Sequence, residues 1–261
     1  MPLADIELVK SVVVEAGRSA LARWGSVDAE CKADTTLVTV VDRETERFIE
    51  TELARAYPDY AFVGEEYGWR GNRDVPVWAC DPIDGTTNYV YGLPHWCVSV
   101  GLIDGGVPQL GAIYIPVTDE LFWAVRGEGA FRNGEPIHST DRDALNSEDP
   151  ICFTSNASKT LNTEAIPGRV RCLGSIATEL AYTARGNLCA TVGLSEGIVD
   201  IAAALCICFE AGCRFHYLDG PPVDIAALLD ARRTTKHFLY APPRLTAYLQ
   251  QRLRIRAELP R

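Results

Sequence analysis

The sequence predicts a mixed α/β fold, with helices and an antiparallel sheet in the N-terminal half and an α/β unit in the C-terminal half. The chain has 261 residues, of which 47% are hydrophobic, and this is enough to bury a large core. Residues 96–137 are strand-like segments separated by glycine-containing turns, as in an antiparallel meander. After residue 150, strand-like and helix-like segments alternate, which is typical of an α/β layer.

The polar stretch at residues 139–150 separates these two patterns. We therefore predict two units, an N-terminal half over residues 1–145 and a C-terminal half over residues 146–261.

The elements of the N-terminal half follow from apolar spacing. Residues 4–24 and 43–56 carry apolar side chains at helical intervals, which predicts two amphipathic helices. Between them, residues 37–42 form a short apolar segment that ends in an aspartate. Residues 60–63 and 75–80 are apolar runs of strand length, and the second run is uninterrupted enough to be a buried strand.

The C-terminal half is predicted as an alternation of short elements. We expect Asp224 to cap a short helix, and a last helix over residues 243–253. The other predicted elements are strands at 151–154, 170–173, 188–192 and 213–217, and helices near 159–165, 175–185 and 200–211.

Composition argues against several classes of partner. The net charge is -10 and the pI about 4.9, and no basic patch stands out, so we expect no nucleic-acid polymer as partner. Apolar runs stay well short of the roughly 20 residues of a membrane span. Most of the nine cysteines lie in apolar runs without a Cys-x-x-Cys pair, so we expect buried reduced thiols and a cytoplasmic protein with no membrane partner.

The most informative stretch follows the strand at 75–80. Asp81 and Asp84 stand three positions apart at the strand's end, where paired carboxylates suit a hard divalent cation such as Mg²⁺. Gly85, Thr86 and Thr87 come next and offer backbone N–H groups and hydroxyls at a possible helix start, which is a favourable place for a phosphate. Metal ligands and an anion site in one turn predict phosphoryl chemistry.

Three more acids share this context, because Asp42, Glu65 and Asp200 also stand at strand ends or helix starts. A lone acid is by default a solvated surface residue. Five acids at such edges would be costly to desolvate unless cations neutralised them, so together they favour a metal centre. An aspartate-nucleophile phosphatase would carry an acid two positions before Asp84, and Pro82 occupies that position, which favours attack by water.

These motifs resemble the inositol monophosphatase family of Mg²⁺-dependent, lithium-sensitive phosphatases, and the resemblance covers nearly the whole chain. Residues 81–88, Asp-Pro-Ile-Asp-Gly-Thr-Thr-Asn, carry it most specifically. The other matching segments are Gly64-Glu65-Glu66, the hairpins at 111–134, and residues 199–204 followed by Glu210-Ala211-Gly212. The resemblance implies a layered αβαβα sugar-phosphatase-like fold and usually a homodimer.

The resemblance also implies metal ligands. Glu65, Asp81 and the Ile83 carbonyl would hold a first Mg²⁺, and Asp81, Asp84 and Asp200 a second, with a weaker third ion near Glu65. Carboxylate and carbonyl oxygens suit Mg²⁺, with Mn²⁺ as a possible substitute, better than zinc.

The remaining roles concern the water and the substrate. Asp42 and Thr86 would orient or deprotonate the attacking water, and Glu65 would be a third catalytic residue. Lys32 would lie near the site. Gly85 and Thr86 would hold the phosphate. A segment resembling the family's substrate side is Gly174-Ser175-Ile176, although Ser175 could simply cap a helix. Asp84 would also contact the substrate.

The chain departs from the family pattern at the substrate rim. Gly193 stands where inositol-specific members have a glutamate, and Glu196 is a possible replacement. Val199, Ala204 and Cys213 also differ from the usual residues. Because Asp-Gly-Thr-Thr-Asn resembles the inositol branch of the family, inositol monophosphate is the first expected substrate. Gly193 and the altered rim favour histidinol phosphate as the second, with fructose 1,6-bisphosphate, 3′-phosphoadenosine phosphate and NADP as other family substrates. A non-catalytic, metal-binding regulatory protein is the rival from another class.

Overall fold

The computed structural model describes residues 3–32, 36–231 and 233–256, and it confirms the mixed α/β class. The N-terminal elements are helices α1 (Ile6–Leu21), α2 (Val40–Ala56) and α3 (Thr86–Val90), and strands β1 (Ala29–Cys31), β2 (Leu37–Thr39), β3 (Ala61–Gly64), β4 (Gly68–Arg70), β5 (Val77–Asp84), β6 (Cys97–Asp104), β7 (Val107–Ile115), β8 (Glu120–Val125), β9 (Gly129–Arg132) and β10 (Glu135–Ile137). Both long helices form where apolar spacing predicted them.

Eight of these strands form one sheet in the order β10-β9-β8-β7-β6-β5-β3-β4. Strands β5 to β10 run antiparallel in sequence order, which confirms the predicted meander. Among the pairs of this sheet that the structure describes, β3–β5 alone is parallel. Strand β4, which follows Glu65, pairs antiparallel with β3.

The C-terminal elements are helices α4 (Ser155–Thr160), α5 (Ile176–Ala184), α6 (Ile198–Glu210), α7 (Ile225–Ala231) and α8 (Pro243–Arg252), and strands β11 (Pro150–Phe153), β12 (Leu161–Asn162), β13 (Arg169–Arg171), β14 (Thr191–Gly193), β15 (Arg214–Tyr217), β16 (Phe238–Ala241) and β17 (Arg254–Ile255). The prediction of a helix near 159–165 was wrong, because α4 already ends at Thr160 and the next residues form β12, which pairs with β17. Strand β16 was not predicted. Asp224 caps α7 as expected, since its carboxylate accepts the Ala227 N–H.

The second sheet has the order β13-β11-β14-β16-β15. Strands β13, β11 and β14 are parallel to one another, and β16 is antiparallel to both of its neighbours, β14 and β15. Helices α5 and α6 contact both sheets, α1 and α2 cover the outer face of the first, and α4 and α8 pack against the second. Seven of the nine cysteines are buried and all are reduced, as expected. The boundary between residues 145 and 146 stays a prediction.

Helix α6, which carries Asp200, lies directly on two paired glycines of the large sheet. Gly101 and Gly111 are opposite each other on β6 and β7. A Cβ at Gly111 would lie 2.1 Å from the Ala203 carbonyl oxygen, and one at Gly101 would lie 2.5 Å from the Ala202 carbonyl carbon. These glycines therefore set how closely the helix, and with it Asp200, approaches the strands that lead to the acidic cluster.

We expect Gly111→Ala to destabilise the protein, because the new methyl group meets helix backbone that cannot rotate away. Overpacking of this kind costs about 2 kcal/mol or more in the free energy of unfolding, measured by urea denaturation. Gly220→Ala is the matched control, since its Cβ would make an ordinary 3.6 Å contact with Tyr217. Equal stability of the two variants would contradict the close packing of α6.

Candidate active site

The turn between β5 and α3 brings the principal motif into the site. Strand β5 continues through Asp84, and its pairing with β6 shifts register between Asp81 and Asp84, so both side chains project at the same edge. Gly85 then adopts φ 92° before the helix starts at Thr86. A Cβ at Gly85 would also lie 2.9 Å from the His95 carbonyl oxygen. Only glycine satisfies both conditions, which explains the Asp-Gly-Thr order.

Asp84 links the large sheet to the start of α5. Its Oδ2 accepts hydrogen bonds from the Ser175 hydroxyl at 2.5 Å and from the Ala177 N–H at 2.7 Å, both at the start of α5. Ser175 also caps this helix, because its Oγ accepts the Thr178 N–H. The predicted alternatives for Ser175 are therefore compatible: it caps α5 and lies beside the acidic turn.

Asp42 and Thr86 are brought together although they are 44 positions apart in sequence. The Thr86 hydroxyl lies 3.0 Å from Asp42 Oδ1 and 3.0 Å from the Ile83 carbonyl oxygen. It carries one proton and so donates to one of them at a time. Asp42 Oδ2 accepts from the N–H and hydroxyl of Thr39, which forms a capping box at the start of α2. Asp42 is thus fixed by its own helix cap.

Glu65 and Asp200 are the other two acids of the cluster. Glu65 follows β3 and forms an ion pair with Lys32, whose ammonium nitrogen lies 3.0 Å from the Glu65 carboxylate and 2.5 Å from the Glu66 carboxylate. Asp200 lies in the first turn of α6, and its Oδ2 accepts the Gly197 N–H at 2.7 Å. Lys32 therefore lies beside Glu65, as the family resemblance implied, and its positive charge is paired with two glutamates.

Buried negative charge dominates the electrostatics of the cluster. Burial, followed by the charges of Glu65 and Asp84, raises the pKa of Asp81 well above its usual range. Burial also raises the pKa of Asp84 to about 7, opposed by the hydrogen bonds from Ser175 and Ala177. For Asp200, burial and then the charges of Glu65 and Asp84 raise the pKa to about 7. A cation would relieve each of these shifts.

The donor atoms fit a hard divalent cation. Within the described ranges, one oxygen of each acid accepts no hydrogen bond: Oδ2 of Asp81, Oδ1 of Asp84, Oδ1 of Asp200 and Oε2 of Glu65. These oxygens and the Ile83 carbonyl are the ligand types that Mg²⁺ prefers. No three acidic, thiol or imidazole side chains of the described segments yet lie close enough to enclose an ion.

The site also depends on Glu46, a buried acid that the sequence analysis missed. Its side chain lies on α2 one turn after Asp42, and its two oxygens accept the N–H groups of Glu66 at 2.7 Å and Tyr67 at 2.9 Å. These bonds hold the turn that carries Glu65. The i, i+4 spacing from Asp42 was the available signal, since it places both acids on one buried helix face.

We expect Glu46→Gln to weaken Mg²⁺ activation by about tenfold, because the amide can accept only one of the two N–H groups and the turn carrying Glu65 loosens. The Mg²⁺ concentration for half-maximal phosphatase activity checks this, and excess Mg²⁺ should restore most of the turnover. Glu50→Gln, one turn further along the same helix, is the control. An unchanged activation constant would remove Glu46 from this role.

The acidic cluster also predicts how stability depends on pH. Because the folded pKa values of Asp84 and Asp200 are raised to about 7, the folded protein binds more protons than the unfolded chain above the ordinary carboxyl range. Stability without metal should therefore fall as the pH rises from about 5.5 to 8. Mg²⁺ should raise Tm by about 3 °C or more at pH 8 and less at pH 5.5. Thermal denaturation with EDTA or Mg²⁺ tests this, and a Mg²⁺ shift independent of pH would contradict it.

A cluster of buried acids beside a helix that begins directly after a glycine is an arrangement suited to phosphoryl transfer. Comparisons with known proteins indicate the same class. The sequence model of the inositol monophosphatase family matches residues 3–247. A fructose-1,6-bisphosphatase/inositol-1-monophosphatase of Aquifex aeolicus is 31% identical over 248 residues, covering 90% of this chain and 93% of that protein. The Nus factor SuhB of Xylella fastidiosa is 36% identical over 207 residues, covering 70% of this chain and 71% of that protein.

A solved structure of the Thermotoga maritima inositol monophosphatase superposes with a TM-score of 0.82 at 28% identity, covering 94% of this chain and 95% of that one. The chain therefore belongs to the inositol monophosphatase family, whose members are phosphoric monoester hydrolases that generally depend on Mg²⁺. Across the described helices, none is both long and apolar enough to cross a membrane.

Proposed function

We propose that this protein hydrolyses a small phosphate monoester in a Mg²⁺-dependent reaction, with inositol monophosphate as the first substrate to test. The observation that carries this proposal is that Asp81, Asp84 and Asp200 act on one another: burial raises the pKa of all three, and the charge of Asp84 raises the pKa values of Asp81 and Asp200 further. Glu65 would join them on exchanging its contact with Lys32. When bound, divalent cations would neutralise these acids, lower the pKa of the attacking water and stabilise the leaving oxygen.

In this proposal Asp42 and Thr86 move the proton of the attacking water. With the Thr86 hydroxyl donating to Asp42, its oxygen lone pairs can accept a hydrogen bond from water. As the water oxygen bonds to phosphorus, its proton passes to Thr86 and the Thr86 proton passes to Asp42, while the ester P–O bond breaks and the departing alcohol oxygen takes a proton from solvent water. Burial raises the pKa of Asp42, which suits a proton acceptor.

The phosphate would lie at the turn between β5 and α3, where Gly85 and Thr86 place backbone N–H groups ahead of the helix. Asp84 and residues 174–176 would then face the esterified group, because Ser175 and Ala177 bond the Asp84 carboxylate. The backbone N–H of Gly174 is already taken by Glu179. Among the proposed substrate contacts, the backbone N–H groups of Ser175 and Ile176 are therefore preferred over that of Gly174.

Phosphate release from inositol 1-phosphate, histidinol phosphate, fructose 1,6-bisphosphate, adenosine 3′,5′-bisphosphate and 4-nitrophenyl phosphate tests the proposal. We expect Mg²⁺-dependent release that EDTA abolishes, with inositol 1-phosphate giving the highest kcat/KM. The non-catalytic alternative is favoured by one observation, since a relative is named a Nus factor. Absence of release from every ester, with Mg²⁺ binding intact, would favour that alternative.

Several finer properties are proposed from membership of the family. They are two to three Mg²⁺ ions with Mn²⁺ as substitute, inhibition by lithium, a homodimer and a cytoplasmic location. Sedimentation equilibrium and a lithium titration of the phosphatase activity test the dimer and the inhibition directly.

A further inference from the structure

Strand β6 places a buried serine beside Asp81. Ser99 lies directly opposite Asp81 in the antiparallel pairing of β5 with β6, and Cys97 lies opposite Asp84. Opposite residues of such a pair project from the same face of the sheet, with Cβ atoms about 5 Å apart. At the second pair the side chains meet, since the Cys97 thiol lies 3.8 Å from Asp84 Oδ2. The Ser99 hydroxyl and the Asp81 carboxylate are therefore neighbours as well.

The hydroxyl of Ser99 has no hydrogen-bond partner among the described residues, although the side chain is fully buried. On its other side, Ser99 lies opposite Ile113 of β7, which belongs to the apolar core. Along β6 its neighbours on the same face are Cys97 and Gly101, and helix α6 packs directly on Gly101. Across the described strands that flank Ser99, Asp81 thus supplies the strong side-chain acceptor nearest to this hydroxyl.

The Asp81 carboxylate has room for another donor. Its Oδ1 accepts the Ile83 N–H at 3.0 Å, and its Oδ2 accepts no hydrogen bond within the described ranges. A carboxylate offers about four lone-pair sites, so it can accept a hydroxyl and still bind a cation. Carboxylates that bind metal ions are generally oriented by hydrogen bonds from neighbours that do not touch the ion. Asp84 already has two such donors, Ser175 and Ala177.

We infer that Ser99 is a positioning residue for Asp81, and that its hydroxyl donates to the Asp81 carboxylate when Mg²⁺ is bound. The inference rests on the proposed function, in which Asp81 is a ligand of Mg²⁺. A serine hydroxyl moves among three staggered positions by rotation about one bond, so the contact forms without a change in β6. A donor that is unpaired in the described fold and paired on Mg²⁺ binding strengthens that binding without adding to stability in EDTA.

Mg²⁺ binding to Ser99→Ala, measured by isothermal titration calorimetry, tests this role. We expect the Kd for Mg²⁺ to rise about tenfold, as is usual when a hydrogen bond to a metal-binding group is lost. The Tm in EDTA should stay within about 1 °C of the native value or rise, because the hydroxyl has no partner among the described residues.

Tyr240→Phe is the matched control for the loss of a buried hydroxyl. The Tyr240 side chain is fully buried on β16 of the second sheet, and its hydroxyl also lacks a partner in the described chain. The substitution should leave the Kd for Mg²⁺ unchanged.

Ser99→Cys separates hydrogen bonding from packing, because a thiol nearly fills the space of the hydroxyl but is a weak donor. We expect it to raise the Kd for Mg²⁺ as Ser99→Ala does, and it replaces the alanine variant if that variant fails to fold. A rise of less than about threefold in Ser99→Ala, or native affinity in Ser99→Cys, would overturn the inference.

Calorimetry measures Mg²⁺ binding without a substrate, so its outcome does not depend on which ester the protein hydrolyses. With 4-nitrophenyl phosphate, saturating Mg²⁺ should return kcat of Ser99→Ala to within about threefold of the native value, since the chemical groups are intact. Failure of the native protein to release phosphate from any ester, with the Mg²⁺ affinity of Ser99→Ala weakened as expected, would contradict the proposed function and leave the role of Ser99 standing.

Discussion

Asp84→Asn should reduce kcat/KM for phosphate release by about a thousandfold or more and weaken Mg²⁺ activation, while leaving the protein folded. The substitution keeps the size of the side chain. The amide oxygen can take the place of Oδ2 and accept from Ser175 and Ala177, so the link to the start of α5 survives. The amide nitrogen then replaces the oxygen that accepts no hydrogen bond in the described chain. A donor at that atom cannot hold a cation.

Steady-state rates across a Mg²⁺ titration check the expected loss, and thermal denaturation checks that the variant folds. Without metal the variant should be at least as stable as the native protein near pH 8, because it removes a buried charge whose pKa is raised to about 7. Asp104→Asn, at the far end of β6, is the matched control and should keep normal kinetics. Near-normal turnover of Asp84→Asn at low Mg²⁺ would remove Asp84 from the reaction.

The acidic turn could be predicted from the sequence because its residues are close together along the chain. Asp81, Asp84 and Gly85 lie within five positions, and a strand followed by Gly-Thr leaves few conformations for the chain. The pattern of acids at strand ends and helix starts also pointed to Asp42 and Asp200, and the family resemblance then supplied their roles. No spacing rule would have shown that Thr86 reaches Asp42, since the contact depends on how α2 packs against β5.

What the sequence could not supply are the groups that support the site. Glu179 is an acid inside an otherwise apolar helix, and its two bonds to Leu173 and Gly174 appear only when the loop before α5 is folded back on the helix. The misplaced helix near 159–165 has the same origin. Residues 161–162 pair with β17 almost a hundred positions away, so tertiary pairing overrides the local pattern.

Thr86→Val should lower kcat by about a hundredfold to a thousandfold with little change in the Mg²⁺ activation constant. Valine keeps the branched shape at the start of α3 but cannot relay a proton to Asp42, 3.0 Å away in the native protein. The carboxylates proposed to bind Mg²⁺ are untouched, so the loss should lie in the chemical step. Thr86→Ser should restore most of kcat, and Thr87→Val, on the exposed next position, should behave as the native protein. If Thr86→Val instead retains kcat within a few-fold, water is oriented without this hydroxyl, and Asp42 would have to act alone through the oxygen that Thr86 now faces.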